Sequence, residues 1–381
     1  MKCINCDAQN SLGERIANSR RCKACSHRFV FEPETMSDVR FTDNFFAKLI
    51  SDITANNTLK FTEKQLFYLL NKRLIKKRYN TSYSIILTYS AFILGIVGIL
   101  SQQQANGFFF TTIGVLIIIS IAAVDIYQRN KTIRKLIVTP EKFQDYLSRW
   151  KAINAIDGIL TLSEQENLPN SINSDITAYS FDRVVVCDSA EIANLLIANN
   201  FHFENNSAVL SIDGYPENIF DSVMQMLRRN DDLKVYVLHD ASPSGVGVVN
   251  TLSNNPDWFS NTSNSNVTIY DLGLLPRQVF NNSNFLTQIS DDSAREAQEL
   301  SSEVKKDLTE KEIKWLEAGK YVKLESFTPQ KLLRVITQGI SKSKSSQSGS
   351  SDSFVDYSGG GDFSGGSDAC DITIFADDCF G

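Results

Sequence analysis

The chain reads as a multidomain α/β protein, and three observations say so. Cys3-x-x-Cys6 and Cys22-x-x-Cys25 face each other across fifteen intervening residues. Two apolar runs follow, the uncharged Tyr83–Leu100 and Phe108–Ile126, whose single charged residue is Asp125 near its end. From Arg183 to Tyr270, short β-branched runs alternate with helical segments. Together these divide the 381 residues into a small head at 1–35, a helical segment at 36–80 and an apolar hairpin at 81–128. A helix and linker at 129–180, an α/β domain at 181–340 and a Ser/Gly/Asp-rich tail at 341–381 complete the chain.

The head comes first. Each C-x-x-C turn presents two thiolates, and two turns complete a tetrahedral sulfur shell, which is what structural Zn2+ takes. Arg20, Arg21, Lys23 and Arg28 surround the second pair and favour the thiolate form. The run HRFVFEP alternates like a strand and closes a zinc-ribbon hairpin. So short a unit cannot bury enough surface by itself, so the metal supplies its folding energy. His27 is read as a surface residue, because Cys3, Cys6, Cys22 and Cys25 already fill the shell. A redox role for the two pairs is the alternative. Seven cysteines, four of them in one metal pattern, argue against a disulfide framework and for a reducing compartment.

Between head and apolar runs, Phe41, Phe45, Phe46, Leu49, Ile50 and Ile53 recur at helical spacing. Thr62 is placed as the N-cap of a second helix over Lys64–Arg78. Phe67 and Tyr68 in that helix read as core or interface aromatics.

Each apolar run has the length of a membrane-crossing helix, about 20 residues at about 1.5 Å each. The connector Ser101–Gly107 is polar and uncharged. Two antiparallel helices satisfy their own backbone hydrogen bonds in lipid. Lys72, Arg73, Lys76, Lys77 and Arg78 precede the first run, and Arg129, Lys131, Arg134 and Lys135 follow the second. The positive-inside rule then gives an integral protein with two spans and both termini cytoplasmic; a bacterial inner membrane is the expected location. Ala91, Gly95 and Gly98 would let the two helices approach closely. Contact of KRLIKKR with DNA, and a hairpin buried inside a domain, are the competing readings. The N-terminus MKCINC has no apolar core, so no cleavable signal peptide is expected.

Thr139-Pro140-Glu141 starts a helix running towards Asn154, and the polar linker Ser163–Asp175 follows. Strands are then expected at Arg183–Cys187, Ala208–Ile212, Lys234–Leu238 and Val267–Tyr270. Helices between them make the βαβ rhythm of a parallel sheet. Ligands of such sheets sit at the carboxyl ends of the strands. Asp188, Asp213 and Asp240 all fall there, as a hard-oxygen set for Mg2+ or as ordinary turn residues. The loop SPSGVG offers a phosphate-binding alternative.

These residues resemble a known family. VVVCDSAEIANLL, SIDGYPENIF, KVYVLHDASPSGVG and YDLGLLPRQ occur in the order seen in the Toprim domain of the topoisomerase VI A subunit and its meiotic double-strand-break relatives. The resemblance covers Asp182–Gln278 and extends towards Ile340. It implies a Toprim-like fold and Mg2+ held by acids at Asp188 and in the Asp240-Ala241-Ser242 loop. It also implies a nucleophilic tyrosine, which FTEKQLFYLL would map to Tyr68. The chain departs from the pattern twice: Asp188 replaces a glutamate, and Ser242 replaces the second aspartate of D-x-D.

The net charge of −6 does not suit a chain that grips nucleic acid through overall positive charge. The tail lacks the apolar content to fold alone. The expected function is a membrane-anchored zinc-ribbon protein with a degenerate Toprim-like domain, binding a protein or DNA partner as a scaffold. An Mg2+-dependent DNA-cleaving or topoisomerase-like enzyme and a nucleotide-binding module are the alternatives.

Overall fold

The computed structural model describes residues 1–36, 39–78, 136–160, 181, 183–227, 233–259, 267–280, 285–347 and 370–371. In chain order its strands are β1 (Phe61–Thr62), β2 (Ile159–Leu160), β3 (Arg183–Cys187), β4 (Ser207–Ser211), β5 (Lys234–Leu238), β6 (Thr268–Asp271), β7 (Gln288–Ile289), β8 (Lys320–Tyr321) and β9 (Cys370–Asp371). The chain forms two compact units. One holds Met1–Leu49, Phe67–Ala155 and Ser283–Gln288; the other holds Ile50–Leu66, Ile156–Asn282 and Ile289–Gly381.

The first unit begins with two matching cysteine turns. Cys3 N–H donates to Ala8 O at 3.0 Å, and Cys22 N–H donates to His27 O at 2.8 Å. Asp7 (φ 61°) and Ser26 (φ 58°) take left-handed backbone one residue beyond Cys6 and Cys25, which doubles the chain back. Antiparallel bridges join Lys2 to Gln9 and Arg21 to Arg28. The helix Leu12–Ala17 between the turns opens on a capping box of Ser11 and Glu14. Beneath it Arg15 is buried, 3.1 Å from Glu32 and 3.0 Å from Glu34.

After the ribbon comes an aromatic core. The Phe31 ring lies 4.8 Å from Phe41 and 5.1 Å from Phe46, and stacks on Trp150 at 5.9 Å. Trp150 comes from the helix Pro140–Lys151, whose Thr139 cap accepts from Lys142 N–H. The buried Asp43 carboxylate accepts the N–H groups of Val30 (3.0 Å) and Phe31 (2.7 Å). Burial pushes its pKa up.

In the second unit, β3, β4, β5 and β6 form a parallel sheet in the order β4-β3-β5-β6, with β9 added beside β6. All five residues of β3 are buried, as in a central strand covered on both faces. Val184, Val186, Val235 and Val237 join Val223, Met224 and Leu227 of the helix Glu217–Leu227 in one cluster. Tyr236 stacks on Tyr270 at 5.1 Å, and its hydroxyl lies 2.7 Å from Ser343 Oγ. Ser343 belongs to the helix Pro329–Gln347, which continues past the expected domain end at 340. The strand β9 falls within the segment read as disordered.

The membrane-protein part of the expected fold class is corrected. Among the described residues, no helix is long and apolar enough to cross a membrane. Residues 83–126, where the sequence reading places both spans, lie outside the described residues. The integral-membrane partner, the cytoplasmic orientation of both termini and the inner-membrane localisation are withdrawn with them. The physical reason is that an apolar run says its side chains leave water; hydropathy does not say which medium receives them.

Candidate functional site

Two constellations carry chemistry, one in each unit. In the first unit, the Sγ atoms of Cys3, Cys6, Cys22 and Cys25 all lie within 4.8 Å of one another. Cys3 and Cys25 are 3.7 Å apart, and Cys6 and Cys22 are 3.6 Å apart. These distances are far beyond a disulfide bond of about 2.05 Å. They match the edge of a sulfur tetrahedron, about 3.8 Å when each sulfur stands about 2.3 Å from Zn2+. The four cysteines could therefore hold a metal ion, and the geometry is compatible with zinc. Burial opposes ionisation of Cys22. The backbone N–H groups of Cys25 and Ala24 and the Asn10 amide outweigh it and bring its pKa down to about 6. His27 supplies a backbone carbonyl to the second turn and is not a member of the sulfur cluster.

In the second unit, chain direction across the sheet reverses between β3 and β5. The carboxyl ends of strands at such a reversal are the usual ligand position of an open α/β sheet. Asp188 follows β3 and Asp240 follows β5, so the topology brings them together. Asp240 N–H donates to Asp188 Oδ2 at 2.7 Å. The Asp240 carboxylate is itself fully engaged. Its Oδ1 accepts Leu324 N–H at 2.6 Å, and its Oδ2 lies 2.7 Å from Lys323 Nζ. A two-way backbone bridge between Ala241 and Val322 (3.1 and 3.0 Å) fixes the Lys323 segment against the loop after β5.

Glu325 joins Asp188 and Asp240 as a third acid, buried like Asp240, while Asp188 is half-buried. Lys64 Nζ lies 3.8 Å from Glu325 and 2.7 Å from Glu191. Burial, reinforced by the charge of Asp240, pushes both Asp188 and Glu325 up to about 7. Lys323 moves the other way: burial works against its charge, but Asp240 outweighs that and raises its pKa.

Behind the acids, His239 is completely buried. Its Nδ1 lies 2.8 Å from Asp240 O and its Nε2 lies 3.0 Å from Asp271 Oδ1. The Nε2–Asp271 contact is an ion pair when the imidazole is protonated. Burial disfavours the imidazolium, yet Asp271 carries its pKa up to about 9. Gly273 packs flat on this ring; a Cβ there would stand 2.1 Å from His239 Cδ2.

No protein-family model and no curated protein matches the chain. The residues themselves therefore decide each expectation.

Asp188 and Asp240 meet at the carboxyl ends of β3 and β5. Asp213 is exposed, and among the described residues no hydrogen bond or ion pair ties it to either. The only group of three or more His, Cys, Asp or Glu donors that converges among the described residues is the cysteine set. Asp188, Asp213 and Asp240 therefore do not form a preassembled Mg2+ shell. Ser242 works as a helix cap: its Oγ accepts Gly245 N–H at 3.0 Å at the start of Pro243–Val246. Val246 N–H goes to Ser242 O at 3.0 Å. With these two amides satisfied internally, SPSGVG is not an open phosphate cradle. Tyr68 is buried in the first unit, and its hydroxyl accepts Gln288 Nε2–H at 2.7 Å.

Sequence reasoning missed Lys323, Glu325 and His239. His239 had a signal, since it adjoins Asp240 at the end of a strand. Lys323 and Glu325 had none, because only the fold carries YVKLES back to β5.

Proposed function

We propose that this chain is a binding or scaffold protein in which a zinc-stabilised ribbon accompanies a Toprim-like α/β unit that has given up metal-dependent cleavage. The observation that carries this reading is the Lys323–Asp240 pair at 2.7 Å. An ammonium group stands on the carboxylate to which a catalytic cation would bind, and Leu324 N–H takes the other oxygen. Ser242, where the resembled family has an acid, caps a helix instead. We assign Zn2+ to the four thiolates because a compact, all-sulfur tetrahedral set suits zinc as a structural ion. The test is incubation of the full chain with supercoiled DNA and Mg2+ or Mn2+. We expect no nicking; nicking that disappears in Asp240→Asn would overturn the reading.

A second reading, Mg2+-dependent DNA cleavage, is favoured by one specific observation. Asp188 and Glu325 are both pushed up to about 7, by burial first and then by the charge of Asp240. A divalent cation would relieve that crowding, provided it displaced Lys323. Titration calorimetry with Mg2+ separates the readings: heat that is lost in Asp240→Ala supports the second, and no heat supports the first.

A further inference from the structure

Asn10 lies between the two cysteine turns and is 1 % exposed. Its side-chain amide is used at both ends. Nδ2 donates to Ala8 O at 2.8 Å, on the first turn, and to Cys22 Sγ at 3.5 Å, on the second. Oδ1 accepts Lys23 N–H at 2.9 Å, again on the second turn. Its backbone carbonyl receives Arg15 Nη1 at 3.2 Å, which anchors Asn10 to the buried Arg15–Glu32 pair. An N–H aimed at a thiolate draws charge from the sulfur and fixes the direction of its remaining lone pairs. Few polar side chains can reach a sulfur on one turn while holding the backbone of both.

We propose that Asn10 is a positioning residue of the metal centre: its amide orients the Cys22 sulfur and ties the two cysteine turns into one four-sulfur set. This inference rests on the reading of the cysteines as a metal site. No sequence signal pointed to Asn10, which lies outside both C-x-x-C patterns.

The test loads the full chain with Co2+, whose sulfur-to-metal charge-transfer absorption reports the electron density on the ligating thiolates. Wild type comes first: absence of the tetrahedral tetrathiolate spectrum would sink the metal reading itself. Asn10→Asp then keeps the shape and the acceptor for Lys23 N–H but removes the donor to Cys22. We expect its charge-transfer band to move and its Co2+ affinity, measured against a chromophoric chelator, to fall about 10–100-fold. An unmoved band overturns the proposal whatever the affinity does, since a purely structural clamp would weaken binding without altering the sulfur. If Asn10→Asp takes up no Co2+, Asn10→Ser, too short to reach Cys22 Sγ, is read by the same two criteria.

Discussion

Replacing Lys323 by methionine removes one charge and keeps most of the side-chain volume, so it isolates what the ammonium does for the acidic cluster. At 2.7 Å from Asp240 Oδ2, a unit charge pair in an effective dielectric near 20 is worth about 6 kcal/mol. The Lys323 side chain is 40 % exposed while that of Asp240 is 5 % exposed, so water screens the pair from one side only. Asp240 also keeps Leu324 N–H after the substitution. We therefore expect Lys323→Met to cost about 2–3 kcal/mol at pH 8. The cost must shrink on acidification, because Lys323 also offsets Asp188 and Glu325, whose protonation near 7 removes part of what it neutralises. Urea unfolding of both proteins at pH 8 and pH 5 measures this. An equal stability at pH 8, or a deficit that grows towards pH 5, would refute the assignment of Lys323 as the counter-ion of the cluster.

Asp188→Asn should stabilise the protein at pH 8 by about 1–3 kcal/mol, read by the same unfolding assay. The sign follows from a folded pKa raised to about 7 from an ordinary 3.8: wild type loses stability as pH rises between these values, and the amide cannot. His239→Gln should behave oppositely, because its folded value is raised to about 9 from 6.5. The imidazolium contribution is complete below about 6.5 and lost as pH rises through about 9, so the variant's deficit should be larger at pH 7 than at pH 10. Gly273→Ala would drive a methyl into a ring held at both nitrogens and should cost more than about 3 kcal/mol, seen as a lowered thermal midpoint. Stripping metal with a chelator should abolish tertiary structure in the ribbon while leaving the far-ultraviolet signal of the parallel sheet.

Much of the α/β unit was legible in the residues. Runs such as RVVVC and KVYVL are too short and too β-branched to be helices, and each became a strand at those positions. Local spacing also sufficed for the cysteines, since a C-x-x-C turn is made by its own four residues. Lateral strand order was not legible, because neighbours in a parallel sheet are set by crossovers and not by adjacent sequence. That is why Asp188 and Asp240 could be placed at one sheet edge, while Lys323, which arrives from a later segment, could not. Ser242 shows the limit of reading a residue by type: a serine before Pro243 is as good a helix cap as it is a weak ligand, and the geometry uses it as a cap. The apolar runs of residues 83–126 lie outside the described residues, and the described helices give no membrane span. The composition of these runs was read as lipid exposure, although composition alone does not identify the surrounding medium.

One feature near residue 30 sets how far damage can spread. The buried apolar interior of the ribbon is only Cys3, Cys22 and Phe29, so its turns rely on polar ties, the Asn10 bridge and the Arg15–Glu32 pair, and on any ion the cysteines hold. Yet the amides of Val30 and Phe31 are gripped by Asp43, and the Phe31 ring is wedged among Phe41, Phe46 and Trp150. Fraying that begins at the cysteines therefore meets a firebreak at Val30. If the four cysteines hold an ion, its removal should open the first turns locally and reversibly, because the neighbouring aromatic core does not depend on it.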